Sequence, residues 1–368
     1  MSHHLCLYPR AMLLMGFALS LLSFFAWATT DTQAVTSYRF KKLDVPGATS
    51  TYAISINDSG QVAGSYSDGD EFVQHGFVYS DGTFTLLDVP GATSTYAESI
   101  NNSGQVVGGY ISEVKEGSFV HGGGFVYSNG TFTLLNVPGA TSTYAASINN
   151  SGQVVGSYSS KNTVGHGFVY SDGTFTILDV PGVAFTHAAS INDSGQVVGN
   201  YASEVIDQEG NSGQDGIFVY SNGTSTPIEV PGAIYTYAVD INNSGQVVGY
   251  YEDKNFVGHG FVYSDGTFTI LDVPGATSTY AESINDSGQV VGEYTKGPVQ
   301  RMFMFLYSNG TFTTFGTHTK IFSIKPWCIN NNGQVVGSYS PGSLMGRGFI
   351  ATPYPFTPPS FWPGTVGH

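Results

Sequence analysis

The chain has 368 residues, with 12 basic against 27 acidic ones, a formal net charge of -15, and 23 Tyr and 25 Phe. Lys and Arg are too few and too evenly spread to form the basic stripe that neutralises phosphates, which argues against nucleic acid and anionic membrane surfaces as partners. Charged residues make up only 11% of the chain, so a core must come from aromatic and β-branched strands.

The first segment has the pattern of an export signal. Arg10 closes a weakly basic start, Ala11 to Phe25 is apolar, and Ala26-Trp27-Ala28 has the small-x-small form that a signal peptidase accepts. Residues 1–28 are therefore expected to be a signal peptide, cleaved after Ala28, leaving a secreted or periplasmic chain with no stable membrane insertion. An uncleaved anchor is the alternative, since the apolar run approaches the ~20 residues that span a bilayer. Cys6 lies before that run, and cleavage would leave only Cys328, so no intramolecular disulfide is expected.

The strand Tyr38–Val45 comes next, and after it an Ile-Asn pair, a polar turn and Gly-Gln-Val-(Val/Ala)-Gly recur seven times. The turn glycines are Gly60, Gly104, Gly152, Gly195, Gly245, Gly288 and Gly333, 43 to 50 residues apart. Such a period, with several short strands per unit, predicts a β-propeller. In the second unit, Thr95–Ile100 reads as a strand, Asn101-Asn102-Ser103-Gly104 as a tight turn and Gln105–Tyr110 as a second strand. A longer loop, a third strand Gly124–Tyr127, the hairpin turn Ser128-Asn129-Gly130 and a fourth strand Thr131–Leu135 follow. Asn followed by Gly supplies the left-handed backbone that short hairpins need. Strands such as Phe77-Val78-Tyr79 are apolar on both faces, as in a sheet packed between two neighbours; a solenoid β-helix ranks second.

The fourth-strand pattern of Tyr38–Val45 precedes any first strand, while the last unit stops after its third, Gly348–Ala351. The predicted fold is thus an all-β, seven-bladed propeller of four-stranded antiparallel blades over residues 37–352, closed by the N-terminal strand pairing into the last blade. Residues 353–368, rich in proline and aromatics, read as a loosely packed tail.

The repeated Gly-Thr-Phe-Thr-x-Leu-Asp-Val-Pro-Gly-Ala, the Ile-Asn-(Asp/Asn)-Ser-Gly-Gln-Val-Val-Gly and His75-Gly76-Phe77 resemble the HAF family of extracellular repeats over about residues 38 to 352. The resemblance implies a secreted bacterial protein and brings no established activity or catalytic residues. Gly216, Phe303 and Arg347 depart from it where other units have His, and Phe315–Lys320 has lost the Val-Pro-Gly turn.

Two connections in each unit are tight turns. The second-to-third loops vary and, with the Pro-Gly-Ala-Thr-Ser-Thr loops, emerge at the other end of a meander, where binding chemistry is expected. First strands enter there with Tyr52, Tyr96, Tyr144, His187, Tyr237, Tyr280 and Lys325, and two residues deeper the chain varies among Ile54, Glu98, Ala146, Ala189, Val239, Glu282 and Trp327. These residues, above all Glu98, Glu282 and Trp327, suggest an aromatic, acidic channel mouth for a sugar, peptide or cationic group, with an extracellular glycan, peptide or protein as the expected partner. The bland alternative is tyrosines that pack between blades with hydroxyls at the rim.

Other motifs carry less. His121-Gly122-Gly123-Gly124 resembles an oxyanion-hole loop, but no Gly-x-Ser-x-Gly elbow accompanies it. Asn57-Asp58-Ser59 matches a glycosylation acceptor, although turn chemistry explains the same letters. His75, His166 and His259 fall in alternate units, too far apart to share one ion. Asp44, Asp88, Asp179 and Asp272 are expected to cap the Val-Pro-Gly bend, with calcium as the minority alternative and no other cofactor implied. A non-enzymatic binding module is the favoured reading; a propeller polysaccharide lyase or glycosidase using Glu98, Glu282 or Asp240 is the alternative.

Overall fold

The computed structural model describes residues 36–69, 73–115, 118–161, 163–202, 216–297, 301–315, 323–341 and 346–355. The segment read as a signal peptide, residues 1–28, and positions 356–368 of the expected tail lie outside the described residues. All regular structure among the described residues is β, and all but its last residue, Pro355, lies in the compact unit Thr36–Tyr354.

Strand β1 (Thr36–Lys42) is followed by a four-stranded antiparallel meander of β2 (Ser50–Ile56), β3 (Val62–Ser67), β4 (His75–Ser80) and β5 (Thr83–Leu87). The same order recurs along the chain, and single parallel bridges such as Ser142↔Gly122 and Gly165↔Phe185 link the third strand of one unit to the first of the next. β1 neighbours the last strand, Arg347–Pro355, in its sheet, and Leu43 N donates to Gly348 O at 2.9 Å. That last strand carries β structure to Pro355, into the stretch read as a tail.

Local chemistry explains each unit. The short hairpins have Asn129 at φ 50° and Gly130 at φ 82°, both left-handed, which suits a two-residue turn between right-twisted strands. One phenylalanine per third strand is fully or almost fully buried (Phe77, Phe125, Phe168, Phe218, Phe261, Phe305 and Phe349). The second and third strands of the second unit run longer than predicted, Val106–Lys115 and Ser118–Ser128, because the intervening segment continues the ladder.

Every first strand also carries a β-bulge that the repeat pattern did not reveal. In the second unit the register jumps between Ala97 and Ser99, leaving Glu98 without a ladder partner. Gly108 on the facing strand makes room: a Cβ there would stand 1.8 Å from Tyr96 O. The glycine of Val-Val-Gly is thus demanded by the close approach of the bulged backbone.

The seven polar turns gather around a small cavity of about 160 Å³. Each buried Asn of the Ile-Asn pair donates through Nδ2 to the carbonyl of the next, from Asn57 to Asn101 at 3.0 Å onward, and Asn330 donates to Asn57 O at 2.9 Å. A second cycle joins the following residues, from Asp58 N to Asn102 Oδ1 at 2.9 Å onward, and ends with Asn331 N donating to Asp58 Oδ1 at 2.9 Å. Asn57 is 3% exposed, so its side chain belongs to this network and is unavailable as a glycan acceptor in the folded chain.

Candidate functional site

The bulge recurs at Ile54, Glu98, Ala146, Ala189, Val239, Glu282 and Trp327, the varied inner positions of the sequence. A bulge frees a residue from the ladder and re-aims its side chain, which suits a position that changes from unit to unit. Across the ladder from Tyr52, Tyr96, Tyr144, His187, Tyr237, Tyr280 and Lys325 stands a second varied column: Ser65, Gly109, Ser157, Asn200, Tyr250, Glu293 and Ser338. Sequence reasoning missed that column. Its signal was the changing letter inside an otherwise nearly constant Val-(Val/Ala)-Gly-x-Tyr.

These columns form two distinct clusters. In the first, Lys325 Nζ lies 3.0 Å from Glu282 Oε1 and 3.6 Å from Glu293 Oε1, and 4.4 Å from the centre of the Trp327 ring. Trp327 Nε1 donates to Ser338 Oγ at 3.3 Å, Tyr280 meets Tyr250 edge-on at 5.0 Å, and Tyr250 stacks on Tyr237 at 5.1 Å. Burial pushes the Glu282 carboxyl up to about 7 against the pull of Lys325, with Glu293 adding to the rise. Lys325 is held above its ordinary value because its two carboxylates outweigh its own desolvation.

The second cluster is a cavity of about 430 Å³ between the second and third units, lined by Tyr96, Glu98, Gly109, Tyr110, Gly122, Gly123 and Tyr144 among others. Gly109 stands in its wall where other units place Ser, Asn, Tyr or Glu, and Gly123 where three of them place His; Gly122 is shared with the third, fifth and seventh units as Gly165, Gly258 and Gly346. Tyr144 occupies the space beside Gly109, whose Cβ would fall 3.0 Å from its ring. A smaller cavity of about 280 Å³ shares Tyr110 and Gly122 and reaches Asn136. Glu98 keeps some exposed area at the cavity wall, yet desolvation raises its carboxyl pKa; a hydrogen bond from the Tyr144 hydroxyl opposes the rise. Among the described residues no Lys, Arg or His pairs with Glu98.

The remaining predicted residues sit elsewhere. His187 Nδ1 is 3.1 Å from Ser157 Oγ, and burial lowers its pKa. Tyr52 packs against Gly346 of the last unit, where a Cβ would come within 2.6 Å of its ring. Asp240, the third acid considered for catalysis, accepts from Ser190 Oγ at 2.8 Å, Ser283 Oγ at 2.9 Å and the amides of Ile241 and Ile284. Its hydrogen bonds are structural, and burial still holds its carboxyl above the usual range. Nearby, desolvation pushes the Cys328 thiol up to about 11, with the Asp240 carboxylate adding, so Cys328 is no reactive thiolate at neutral pH.

The expected role of Asp44, Asp88, Asp179 and Asp272 as caps of the Val-Pro-Gly bend is corrected. A first-strand threonine caps the valine amide instead, as in Val89 N to Thr95 Oγ1 at 3.0 Å. The aspartates pair with the third-strand entry: His75 Nδ1–Asp88 at 2.8 Å, His166–Asp179 at 3.0 Å, His259–Asp272 at 3.0 Å and Arg347–Asp44 at 3.4 Å. Each His ring also packs on a Tyr, as His75 does on Tyr66 at 5.2 Å. Where the second unit has Gly123 for His, it has Asn136 for Asp, and a Cβ on Gly123 would meet Asn136 Oδ1 at 2.3 Å. The two substitutions therefore form one rearrangement, beside the cavity. Among the described residues no group of three or more His, Cys, Asp or Glu stands together, at these aspartates or elsewhere, to hold a metal ion such as calcium.

The model of a protein family of unknown function (DUF3466) matches residues 173–274. No curated protein matches the chain in sequence. Among solved structures, the acylaminoacyl peptidase of Pyrococcus horikoshii superposes with a TM-score of 0.56 at 10% identity, covering 84% of this chain and 52% of the peptidase. The chain thus spans about half of that enzyme, and the likeness is one of fold. A Dyadobacter fermentans protein of unknown function gives 0.44 at 11% identity, over 85% of this chain and 99% of that one. An Aleuria aurantia lectin in complex with Fucα1-6GlcNAc gives 0.40 at 14% identity, over 85% and 98%. The solved structures similar to this chain include propeller-like folds.

Proposed function

We propose that this chain is a secreted or periplasmic, non-enzymatic binding module: a seven-bladed propeller, closed by β1 in the last blade, that recognises an extracellular glycan, peptide or protein. One observation carries the reading: between the second and third units, where Gly109 replaces the side chain that the other units carry, a cavity of about 430 Å³ is bordered by Tyr96, Tyr110, Tyr144 and the desolvated Glu98. Cavities of this size with aromatic walls and one polar group are the usual form of a small-ligand site. The two hydrogen-bond cycles that return from Asn330 and Asn331 to Asn57 and Asp58 support the closed ring. The apolar run before Ala28 and the likeness to HAF repeats support export.

The lyase or glycosidase alternative has less support. Glycoside hydrolysis takes two carboxylates flanking one bond, whereas among the described residues Glu98 is the one acid lining its cavity, and Glu282 is held by Lys325 at 3.0 Å. The test is a glycan and peptide array probed with residues 29–368 and with Ser142→Trp, which sets an indole on the exposed rim of the cavity. Binding lost in Ser142→Trp is expected; an array signal that this variant leaves intact would move the site away from the cavity.

A further inference from the structure

We infer that the cavity between the second and third units takes a primary ammonium group on an alkyl chain, with Glu98 as its counter-ion. This rests on the reading of that cavity as the binding site and names what enters it.

The chain holds its own precedent for such a pair. Glu282 occupies in the sixth unit the bulge position that Glu98 occupies in the second, and an ammonium already stands against it: Lys325 Nζ, 3.0 Å from Oε1 and over the Trp327 ring at 4.4 Å. Lys325 comes from the unit that follows, at the position where the third unit has Tyr144. Between the second and third units, therefore, the acid is kept, and among the described residues no internal cation takes the place of Lys325. Tyr144 supplies a hydroxyl to Glu98 but no charge. The column that carries Glu293 beside Lys325 carries Gly109 here, which removes a competing carboxylate and lets the Tyr144 ring stand in its place. What remains is an acidic socket opening into the cavity. A carboxylate withdrawn from water without a cation is costly, and an ammonium from outside offsets that cost. The rings of Tyr96, Tyr110 and Tyr144 in the lining suit the alkyl stem and the charge, as aromatic surfaces do for ammonium groups.

A lysine side chain on a peptide and a free alkylamine share this chemistry. Calorimetric titration of residues 29–368 with N-acetyl-lysine methylamide, its uncharged counterpart N-acetyl-norleucine methylamide, and cadaverine distinguishes them. The lysine amide is expected to bind at least ~10-fold more tightly than the norleucine amide; cadaverine binding as tightly as the lysine amide assigns the site to free amines, and weaker binding assigns it to peptides. Glu98→Gln should erase the preference. Tyr144→Lys should abolish amine binding in a folded chain, by supplying internally the ammonium that Lys325 supplies to Glu282. Equal binding of both amides, or an unchanged ratio in Glu98→Gln, would overturn the assignment. If no amine binds but an array ligand is lost in Ser142→Trp, the cation assignment falls while the binding site stands. If Ser142→Trp alters nothing, both fall.

Discussion

Glu282 and Glu98 show how one residue type at one repeated position acquires two fates from its neighbours. Glu282, 8% exposed, faces Lys325, Glu293 and Tyr250, and its carboxyl is raised to about 7 from an ordinary 4.5. Glu293 Oε2 is buried with no hydrogen-bond partner, which adds to the cost of charging this cluster. An acid whose pKa rises on folding holds its proton more tightly in the native state. Its contribution to stability is then complete below the unfolded value and lost as pH climbs through the folded one. Glu98, Glu293 and Asp240 are shifted in the same direction. The melting temperature should therefore fall between pH 4.5 and 7, and Glu282→Gln should flatten the fall, as thermal melts across that range will read. Parallel curves for the two proteins would show that Glu282 is not the group responsible. Glu98 and Glu282 were legible as candidates because they interrupt a run of small residues. Their different partners were not, because a single column of letters does not say which residue of the next unit reaches back.

At the scale of the element, the meander was readable from turn chemistry, since Asn-Gly pairs and the Gly of the polar turn leave few other conformations for such short connections. The bulge was missed although it breaks the alternation: the buried letters stand two apart at Thr95 and Ala97 and then three apart at Ala97 and Ile100. It explains afterwards why the Val-Val-Gly glycine is fixed. In the fifth unit a Cβ on Gly249 would stand 1.9 Å from Tyr237 O, so Gly249→Ala must displace backbone and should cost roughly 1–3 kcal/mol or more. Phe168→Ala empties a fully buried third-strand site and should cost about 3–5 kcal/mol. Leu134→Ala, at a residue 49% exposed, should change stability by less than ~0.5 kcal/mol. Urea unfolding of the three variants orders them; a Gly249→Ala protein as stable as Leu134→Ala would mean that the bulge is not held as described.

For the whole molecule, the orphan strand at the N-terminus and the missing one at the C-terminus were countable in the sequence, which made the pairing of β1 with the last strand foreseeable. The cycles of turn residues were visible only as letters. Asp58, Asp193 and Asp286 are each flanked in the second cycle by asparagines, and all three accept Nδ2 donors from them, as Asp58 does from Asn102 at 2.8 Å and Asn331 at 3.2 Å. The choice between Asp and Asn at that position thus matches donors to acceptors and keeps like charges apart around the ring. β1 contributes further contacts: Tyr38 Oη donates to Gly333 O at 2.8 Å and Phe40 packs on Phe349 at 5.5 Å. Removing residues 37–45 should leave the last strand as an open edge and lower the melting temperature and solubility sharply. A truncated chain that melts with the intact one would refute closure by β1.

We propose that near-identical units hold a scaffold while one departure from the repeat, between the second and third units, makes the site. Hydrogen–deuterium exchange with and without the strongest array ligand reads this most directly. Protection gained over residues 94–111, 122–124 and 141–144, with the Asn57 and Asn330 turns unchanged, is the predicted result; protection centred on those turns, or shared equally by all units, would contradict it.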